Sequence, residues 1–363
     1  MVVCIVNNRL NKTFVTILSA VLSFIFALLV GAIIIKATGS SPLHTYGVLL
    51  KGAWGSKNAI SESLIKASIL LLTGLSFTFA SKCGLINIGA EGQLYMGAAS
   101  GITVGIYLTG LPAYIHLPLA LLAGFAGGAI WGSVVGILKA RFNSNEIITS
   151  IMLNYIAIQF VSFLVNGPIK DKTQSFPYSY MVQDSAKLPI ILQGTRLHIG
   201  VFVALACLVF YWFFYRYTVT GYRLRVIGQN RRCAEYAGFN VRKSMFWVIL
   251  IGGGFAGLGG AIEVLGIQHR LFENFSVGYG FDGIAASLLA GGNPIGMFFT
   301  ALLFGSLKNG ANSVQMFTSV PSSLVEIVQA VVIITVIMKV FSRKPKLPRF
   351  LTKAGRAAAK KGA

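Results

Sequence analysis

Residues 84–101 read Gly84-Leu-Ile-Asn-Ile-Gly-Ala-Glu-Gly-Gln-Leu-Tyr-Met-Gly-Ala-Ala-Ser-Gly101, and they set Asn87, Glu91 and Gln93 within a long apolar neighbourhood. An ionisable side chain at membrane depth costs about 2.5 to 3.5 kcal/mol on insertion scales, so it normally faces a cavity or a partner. The glycines of the stretch permit positive φ and close helix approach, which suits a helix broken at membrane depth beside a protected cavity. The stretch therefore predicts the wall of a solute pathway.

The composition of the chain is that of an integral membrane protein. Hydrophobic residues make up 55% of the 363 residues and charged residues 11%, and the mean hydropathy is +0.73. The formal net charge of +21 would suggest a nucleic-acid partner for a soluble protein. Cations retained on the cytoplasmic side of a membrane give the same excess, and no basic helix with interleaved aromatic residues is present. We therefore predict no nucleic-acid partner.

The apolar runs predict an all-α polytopic membrane protein with about ten transmembrane helices, in a range of roughly eight to ten. Broken or short helices are expected near residues 87–97 and 279–291, where the sequence is rich in glycine. Cations precede the first apolar run and follow the last, which predicts cytoplasmic termini and an even number of crossings. The predicted parts are a cytoplasmic N-terminus over 1–13, a transmembrane domain over 14–341 and a basic cytoplasmic tail over 342–363.

Two polar segments are expected between the spans. Residues 167–196 contain prolines and acids and suit an outer surface loop. Residues 218–243 belong to the most basic internal segment, which predicts a cytoplasmic loop. Within it, Asn230 and Gly238 are the expected start and stop of a short capped helix. A loop that only fixes topology would not need a helix, so the segment is a candidate docking element.

Glycines at helical spacing predict close packing between spans. Gly124, Gly128 and Gly132 lie at intervals of four, the small-xxx-small pattern that lets transmembrane helices approach each other. The run from 252 to 260 contains six further glycines in one predicted span. Packing is the preferred interpretation of both groups over contact with a solute.

Several kinds of chemistry have no signature in the sequence. No Gly-x-x-x-x-Gly-Lys-Ser/Thr loop occurs, so the chain is not expected to hold a nucleotide triphosphate itself. The four histidines and four cysteines show no metal-ligand spacing, and no Gly-x-Ser-x-Gly elbow is present. We predict no metal, no cofactor and no enzymatic activity. Acids in the spans are too few to indicate a proton relay, which disfavours a proton-driven carrier.

Three motifs in the same order resemble the ABC importer permeases of the simple-sugar, nucleoside and branched-chain amino-acid group. They are Gly84-Leu-Ile-Asn-Ile-Gly-Ala-Glu-Gly-Gln, Gly221-Tyr-Arg-Leu-Arg-Val-Ile-Gly-Gln-Asn, and Gly280-Phe-Asp-Gly-Ile-Ala with Gly291-Gly-Asn-Pro. The resemblance covers roughly residues 60–340. It implies a permease subunit of the bacterial cell membrane that opens alternately to each side. The implied partners are cytoplasmic ABC ATPase subunits, a second permease that is a homologue or a copy, an extracytoplasmic solute-binding protein and membrane lipid.

The resemblance also implies roles for particular residues. The segment from Gly221 to Phe239 resembles the coupling helix that docks on the ATPase, although its match to the family's small-residue pattern is imperfect. The residues implied for coupling are Gly221, Arg223, Arg231, Ala234, Glu235, Ala237 and Gly238. The residues expected along the solute pathway are Asn87, Glu91, Gln93, Tyr95, Asn154, Tyr155, Asp282 and Asn293.

The sequence from Glu146 to Ala157 is most similar to the nucleoside-type permeases of the group. A nucleoside is uncharged, with an aromatic base and a hydroxylated sugar, so amides and tyrosines are suitable contacts. A simple sugar such as ribose or galactose would use much the same amides and stays an alternative. A stand-alone carrier or channel, in which the basic loop only sets topology, is the less favoured reading. A membrane enzyme using Glu91 lacks a second catalytic group at a recognisable spacing.

Overall fold

The computed structural model describes residues 28–37, 39–173, 175–318, 321 and 323–341. The predicted cytoplasmic N-terminus over 1–13 and the basic tail over 342–363 lie outside the described residues, as does much of the first apolar run. The described part is all-α, as predicted, with only isolated β-bridges in the loops. Its helices are Leu28–Ala37 (α1), Pro42–Trp54 (α2), Lys57–Ser81 (α3), Ala90–Tyr107 (α4), Ala113–Phe142 (α5), Glu146–Asn166 (α6), Gly200–Tyr217 (α7), Val219–Gln229 (α8), Arg231–Tyr236 (α9), Val241–Glu263 (α10), Tyr279–Ala290 (α11), Pro294–Phe317 (α12) and Ser323–Phe341 (α13).

Five helices of the described chain are long and apolar enough to cross a membrane on their own. They are α3, α5, α6, α7 and α10, the last extended by a π-helical turn over Val264–Gln268. Burial separates them into two classes, since the apolar windows of α3 and α10 are 94% and 89% buried and those of α6 and α7 only 22%. The first two therefore form the centre of the bundle, while α6 and α7 present apolar surface outward, as lipid-facing or subunit-facing helices do.

The bundle has two distinct ends. The basic end comprises residues 82–84, 142–145, 218–240 and 291–293. At this end, α8 lies against the end of α3, and Gly228 packs on Lys82. At the opposite end, the loop over 167–199 closes over α4 and α10. The backbone N–H of Gln183 donates a hydrogen bond to the carbonyl of Gly105, and the N–H of Leu188 donates to the carbonyl of Leu265. Each fully traversing helix runs between these two ends.

Close approach of α4, α5 and α10 confirms the packing prediction for the glycines. A Cβ added to Gly97 would lie 2.1 Å from the Cα of Gly257, and one added to Gly128 would lie 2.4 Å from the carbonyl oxygen of Gly253. Gly124 and Gly132 lie in the same contact, and we call this glycine-lined contact of α4, α5 and α10 the seam. Contacts this short bring helix backbones together without side chains between them, and such close packing favours helix association in lipid.

Two helices begin inside the bundle instead of at one of its ends. The hydroxyl of Thr73 donates to the carbonyl of Tyr279 over 3.0 Å, and Thr73 lies eight residues before the end of α3, or about 12 Å along its axis. Helix α11 therefore starts at depth and runs to the basic end, and residues 270–278 complete the traverse in non-helical form. Helix α4 likewise starts at depth, after the non-helical residues 84–89, and is continuous from Ala90 to Tyr107. Gly92 and Gly97 thus pack within a regular helix, and the interruption precedes them.

The seam predicts different tolerances at two glycines of α10. In Gly257→Ala, the new Cβ would lie 2.4 Å from the carbonyl oxygen of Gly124, so the helices must separate, at a cost of about 1 to 3 kcal/mol. In Gly259→Ala, the nearest atom is the Cβ of Leu72 at 3.4 Å, which is ordinary contact, so that variant should match the wild type. Thermal unfolding of the two detergent-purified variants measures the difference. Equal melting temperatures would refute the seam.

Candidate solute pathway and coupling surface

A buried carboxylate joins the two helices that start inside the bundle. Glu91 is the second residue of α4, and its Oε2 accepts a hydrogen bond of 2.5 Å from the backbone N–H of Gly280, the second residue of α11. The N-terminus of a helix carries partial positive charge and unpaired N–H groups, so it stabilises an anion. Glu91 thus lies between two helix N-termini, and its side chain is 3% exposed.

An amide cluster holds the non-helical segment before α4. The Nδ2 atom of Asn87 donates to the hydroxyl of Ser76 over 3.1 Å and to Oε1 of Gln93 over 3.2 Å, and Ser76 donates to the same Oε1 over 3.0 Å. The backbone N–H of Gly89 donates to Oδ1 of Asn87 over 3.0 Å. The bond from Gly89 pairs a backbone group of this segment, and the side-chain bonds hold Asn87 in place to accept it. Pairing of this kind is the condition for non-helical backbone at this depth.

Asn154 ties α6 to the same segment. Its Oδ1 accepts from the N–H of Gly92 over 2.8 Å, and its Nδ2 donates to the carbonyl of Ile88 over 2.9 Å. The Asn154 side chain thereby satisfies a free backbone N–H in the first turn of α4 and a free carbonyl in the segment before it. Tyr95, one helical turn beyond Glu91, is also buried and packs on Phe275, with ring centroids 4.6 Å apart.

Asp282 lies in the first turn of α11 and pairs with Lys308 of α12 at 2.5 Å. Lys308 also donates to the carbonyl of Val277, and its Nζ lies 4.8 Å from the centre of the Tyr279 ring. The cation thus fixes the entry of the chain into α11. Its pairing with Asp282 is partly exposed, unlike the contact of Glu91.

The structure brings together only part of the predicted pathway set. Asn87, Glu91, Gln93 and Asn154 form one cluster, with Tyr95 and Asp282 on its flanks. Tyr155 is 66% exposed on the outer surface of α6. Asn293 lies at the basic end, where its Oδ1 accepts from the N–H of Ile295 and caps the start of α12. These two residues are therefore separated from the cluster in this conformation.

Sequence reasoning noted Glu263 as an acid near a span but passed over Lys66 and Asn309, which are buried toward the same end of the bundle, opposite the basic end. Nζ of Lys66 lies 3.4 Å from Oδ1 of Asn309, and Nδ2 of Asn309 donates to the carbonyls of Gly52 and Ala59. Glu263 of α10 accepts from Gln268 over 3.0 Å. A lysine inside the apolar run of α3 is unusual, and this feature of the sequence could have revealed the buried polar group.

The predicted capped helix of the basic loop is confirmed. Oδ1 of Asn230 accepts from the N–H of Cys233 over 3.1 Å at the start of α9, and Gly238 follows it with a φ of +78°. Arg231 and Glu235 pair on its exposed surface at 3.6 Å. Among the other residues implied for coupling, Ala234 is buried and Gly221 is packed against the carbonyl of Phe214.

Helix α8 contacts the segment that leads to the amide cluster. A Cβ on Gly228 would lie 2.2 Å from the carbonyl oxygen of Lys82, and one on Gly84 would lie 3.4 Å from the Cα of Gly228. Burial, and then the nearby Arg225, lowers the pKa of Lys82 at this contact. The basic loop and the non-helical segment therefore share a boundary.

Comparison with known proteins places residues 59–337 in the family described as permease component of the branched-chain amino acid transport system. The guanosine ABC transporter permease of Bacillus subtilis is 39% identical over 324 residues, covering 88% of this chain and 92% of that protein. The nucleoside ABC transporter permease of Lactococcus lactis is 33% identical over 366 residues, covering 98% and 99%. The glucose ABC transporter permease of Haloferax volcanii is 36% identical over 334 residues, covering 89% and 88%. No solved structure matches the chain.

The position of Glu91 predicts a graded response to substitution. In Glu91→Ala, the N–H of Gly280 is left buried without its acceptor, which should cost about 1 to 3 kcal/mol of stability. Glu91→Gln keeps a carbonyl oxygen that can accept the same bond and should lose less. Thermal unfolding in detergent ranks the two, with Asp184→Ala in the exposed loop as the neutral control. An alanine variant as stable as wild type would contradict the linking role.

Proposed function

Since the chain belongs to the family of permease components of branched-chain amino acid transport systems, we propose that it is the membrane-spanning subunit of an ATP-driven importer that moves a nucleoside into the cell. The observation that carries the solute class is the nearly end-to-end match with a nucleoside permease, beside the 39% identity with a guanosine permease. In this family the permease is not an enzyme, and a separate ATPase subunit hydrolyses ATP.

A simple sugar is the second candidate solute. It rests on the 36% identity with a glucose permease, which is close to the figure for the guanosine permease. The cluster of Asn87, Gln93 and Asn154 does not separate the two, because amides bind ribosyl and pyranosyl hydroxyls alike.

We place the basic end of the bundle in the cytoplasm. Lys139, Arg141 and all seven cations of residues 216–243 lie at that end, in keeping with the positive-inside rule. Helices α8 and α9 then face the ATPase subunits, and the loop over 167–199 faces the solute-binding protein. Both termini belong to the cytoplasm in this arrangement, and the membrane is the bacterial cell membrane.

The solute pathway in this proposal follows the face on which α6 and α11 flank α4. Ser162 and Asn166 of α6 both donate to Glu273, in the segment that leads into α11. The exposed side chains of Tyr155, Val277 and Phe281 lie on these elements. Aromatic rings there suit a nucleobase, and a second permease facing this side would enclose the path.

Behind this face, Asn87, Glu91, Gln93 and Asn154 support the wall. Direct contact of the three amides with solute stays a prediction, and it requires them to exchange the hydrogen bonds they make in this conformation. A role for Asn293 in the path likewise stays a prediction, since the residue caps α12 at the basic end.

Uptake measurements test the solute class. Cells with and without this chain receive radiolabelled nucleosides or radiolabelled sugars, each with unlabelled purine nucleosides, pyrimidine nucleosides and galactose as competitors. Nucleoside uptake alone should fall when the chain is removed. Loss of sugar uptake alone would overturn the nucleoside assignment and leave the importer assignment standing.

The coupling role of α9 predicts a loss of ATP hydrolysis without a loss of assembly. Arg231→Ala combined with Glu235→Ala removes the exposed pair at the centre of the proposed contact, so basal hydrolysis by the purified complex should fall severalfold. The control is Asp184→Ala with Lys187→Ala, an exposed pair at the opposite end, which should keep basal hydrolysis. Unchanged hydrolysis in the Arg231 and Glu235 variant would refute the role.

A further inference from the structure

A groove of about 680 Å³ lies between α8 and the first turns of α10 at the basic end. Its walls come from the end of α7, from α8, from the turn over 237–240 and from α10. Its lining includes Phe214, Arg223, Lys243, Ser244, Trp247 and Ile251.

The mouth of the groove is cationic. Arg223 and Lys243 lie on opposite walls, and neither forms an ion pair within the described part of the chain. The guanidinium of Arg223 lies over the ring of Phe239, 5.7 Å from its centre, which holds the side chain on the groove. The described lining contains no acidic side chain. The site therefore offers two positive charges to an anion.

The groove becomes apolar with depth. From Lys243 the lining of α10 passes through Ser244 to Trp247 and then to Ile251, about 12 Å further along the helix. Phe214 of α7 lines the facing wall. Trp247 is 48% exposed beside this apolar lining, and tryptophan is a common residue at membrane interfaces. Cationic groups at the surface and apolar groups below match the order of headgroup and acyl chain in a phospholipid.

We propose that this groove binds an anionic phospholipid, with Arg223 and Lys243 holding its phosphate and the surface from Trp247 to Ile251 holding an acyl chain. A basic pocket between helices at the cytoplasmic surface is a known form of headgroup site. The apolar wall continues along the membrane-spanning part of α10, where a cytoplasmic protein partner does not reach. The assignment holds whichever solute is carried.

The bound lipid would join α8 to α10. Helix α8 also contacts the end of α3 through Gly228, so the lipid would brace the basic loop against the bundle on its second side. Arg223 then acts from the lipid groove, beside the docking surface formed by α9.

Fluorescence quenching tests the site in the full chain. Trp54, Trp131 and Trp212 are replaced by Phe, which leaves Trp247 as the single tryptophan of the four. The protein is reconstituted in phosphatidylcholine vesicles that contain a small fraction of doxyl-labelled phosphatidylglycerol or doxyl-labelled phosphatidylcholine. The anionic label should be enriched at Trp247 by about thirtyfold, roughly the contribution of two cations near the membrane surface.

Variants identify the residues responsible. Arg223→Gln with Lys243→Gln should bring the two labels to equal quenching, and Lys243→Arg should keep the preference. Arg232→Gln with Arg242→Gln is the matched control, because it also removes two charges from the same loop and neither residue lines the groove. Its preference should persist, which separates a headgroup contact from general surface charge.

Three results would overturn the proposal. One is equal quenching by both labels in the wild type, and another is a preference that survives the double substitution. The third is loss of the preference in excess inorganic phosphate at constant ionic strength, which would assign the groove to free phosphate instead of lipid.

Discussion

The hydrogen bond between Glu91 and the start of α11 is the contact on which the architecture depends. Two chain segments enter the bundle without helical structure, and their backbone groups need partners because lipid supplies none. A carboxylate between two helix N-termini satisfies the charge of the acid and one of the free donors at once. Asn87 and Asn154 pair backbone groups at the first break, and Gln93 holds Asn87 in place. At the second break, Lys308 donates to the carbonyl of Val277. Once both breaks are paired, the two short helices can face each other at depth.

Prediction from sequence succeeded where the local pattern was itself unusual. Glu91 marks the start of the helix that follows the break, since acids are rare in apolar runs, and the break itself lies just before it, over residues 84–89. The spacing of Gly124, Gly128 and Gly132 marks the helix seam. The cap of α9 by Asn230 followed from local chemistry alone. Each of these signals lies within a short window, where periodicity and residue type carry enough information.

The hydrogen-bond partners of the buried polar groups could not be predicted from a short window of sequence. Glu91 and Gly280 are 189 residues apart, and Lys66 and Asn309 are 243 apart. Only the fold brings such groups together, so the sequence could indicate pathway residues but not their positions relative to one another. Tyr155 shows the effect, since it neighbours Asn154 in sequence but faces outward because successive helical residues point about 100° apart. Asp282 was recognised, whereas the cation that pairs with it was not.

The boundary between α8 and residues 82–84 gives the proposed coupling a short mechanical route. Gly228 packs directly on Lys82, and only two residues separate Gly84 from Asn87 in the amide cluster. Glycine-to-backbone contacts leave no flexible side chain to absorb a displacement, so in the proposed importer a movement of α8 would press on the segment before α4. That segment is held by hydrogen bonds instead of helical structure, and such bonds exchange partners at lower cost than a helix breaks. In the proposed importer, the interrupted wall is therefore the element suited to adopt a second arrangement, while the seam of α4, α5 and α10 stays rigid.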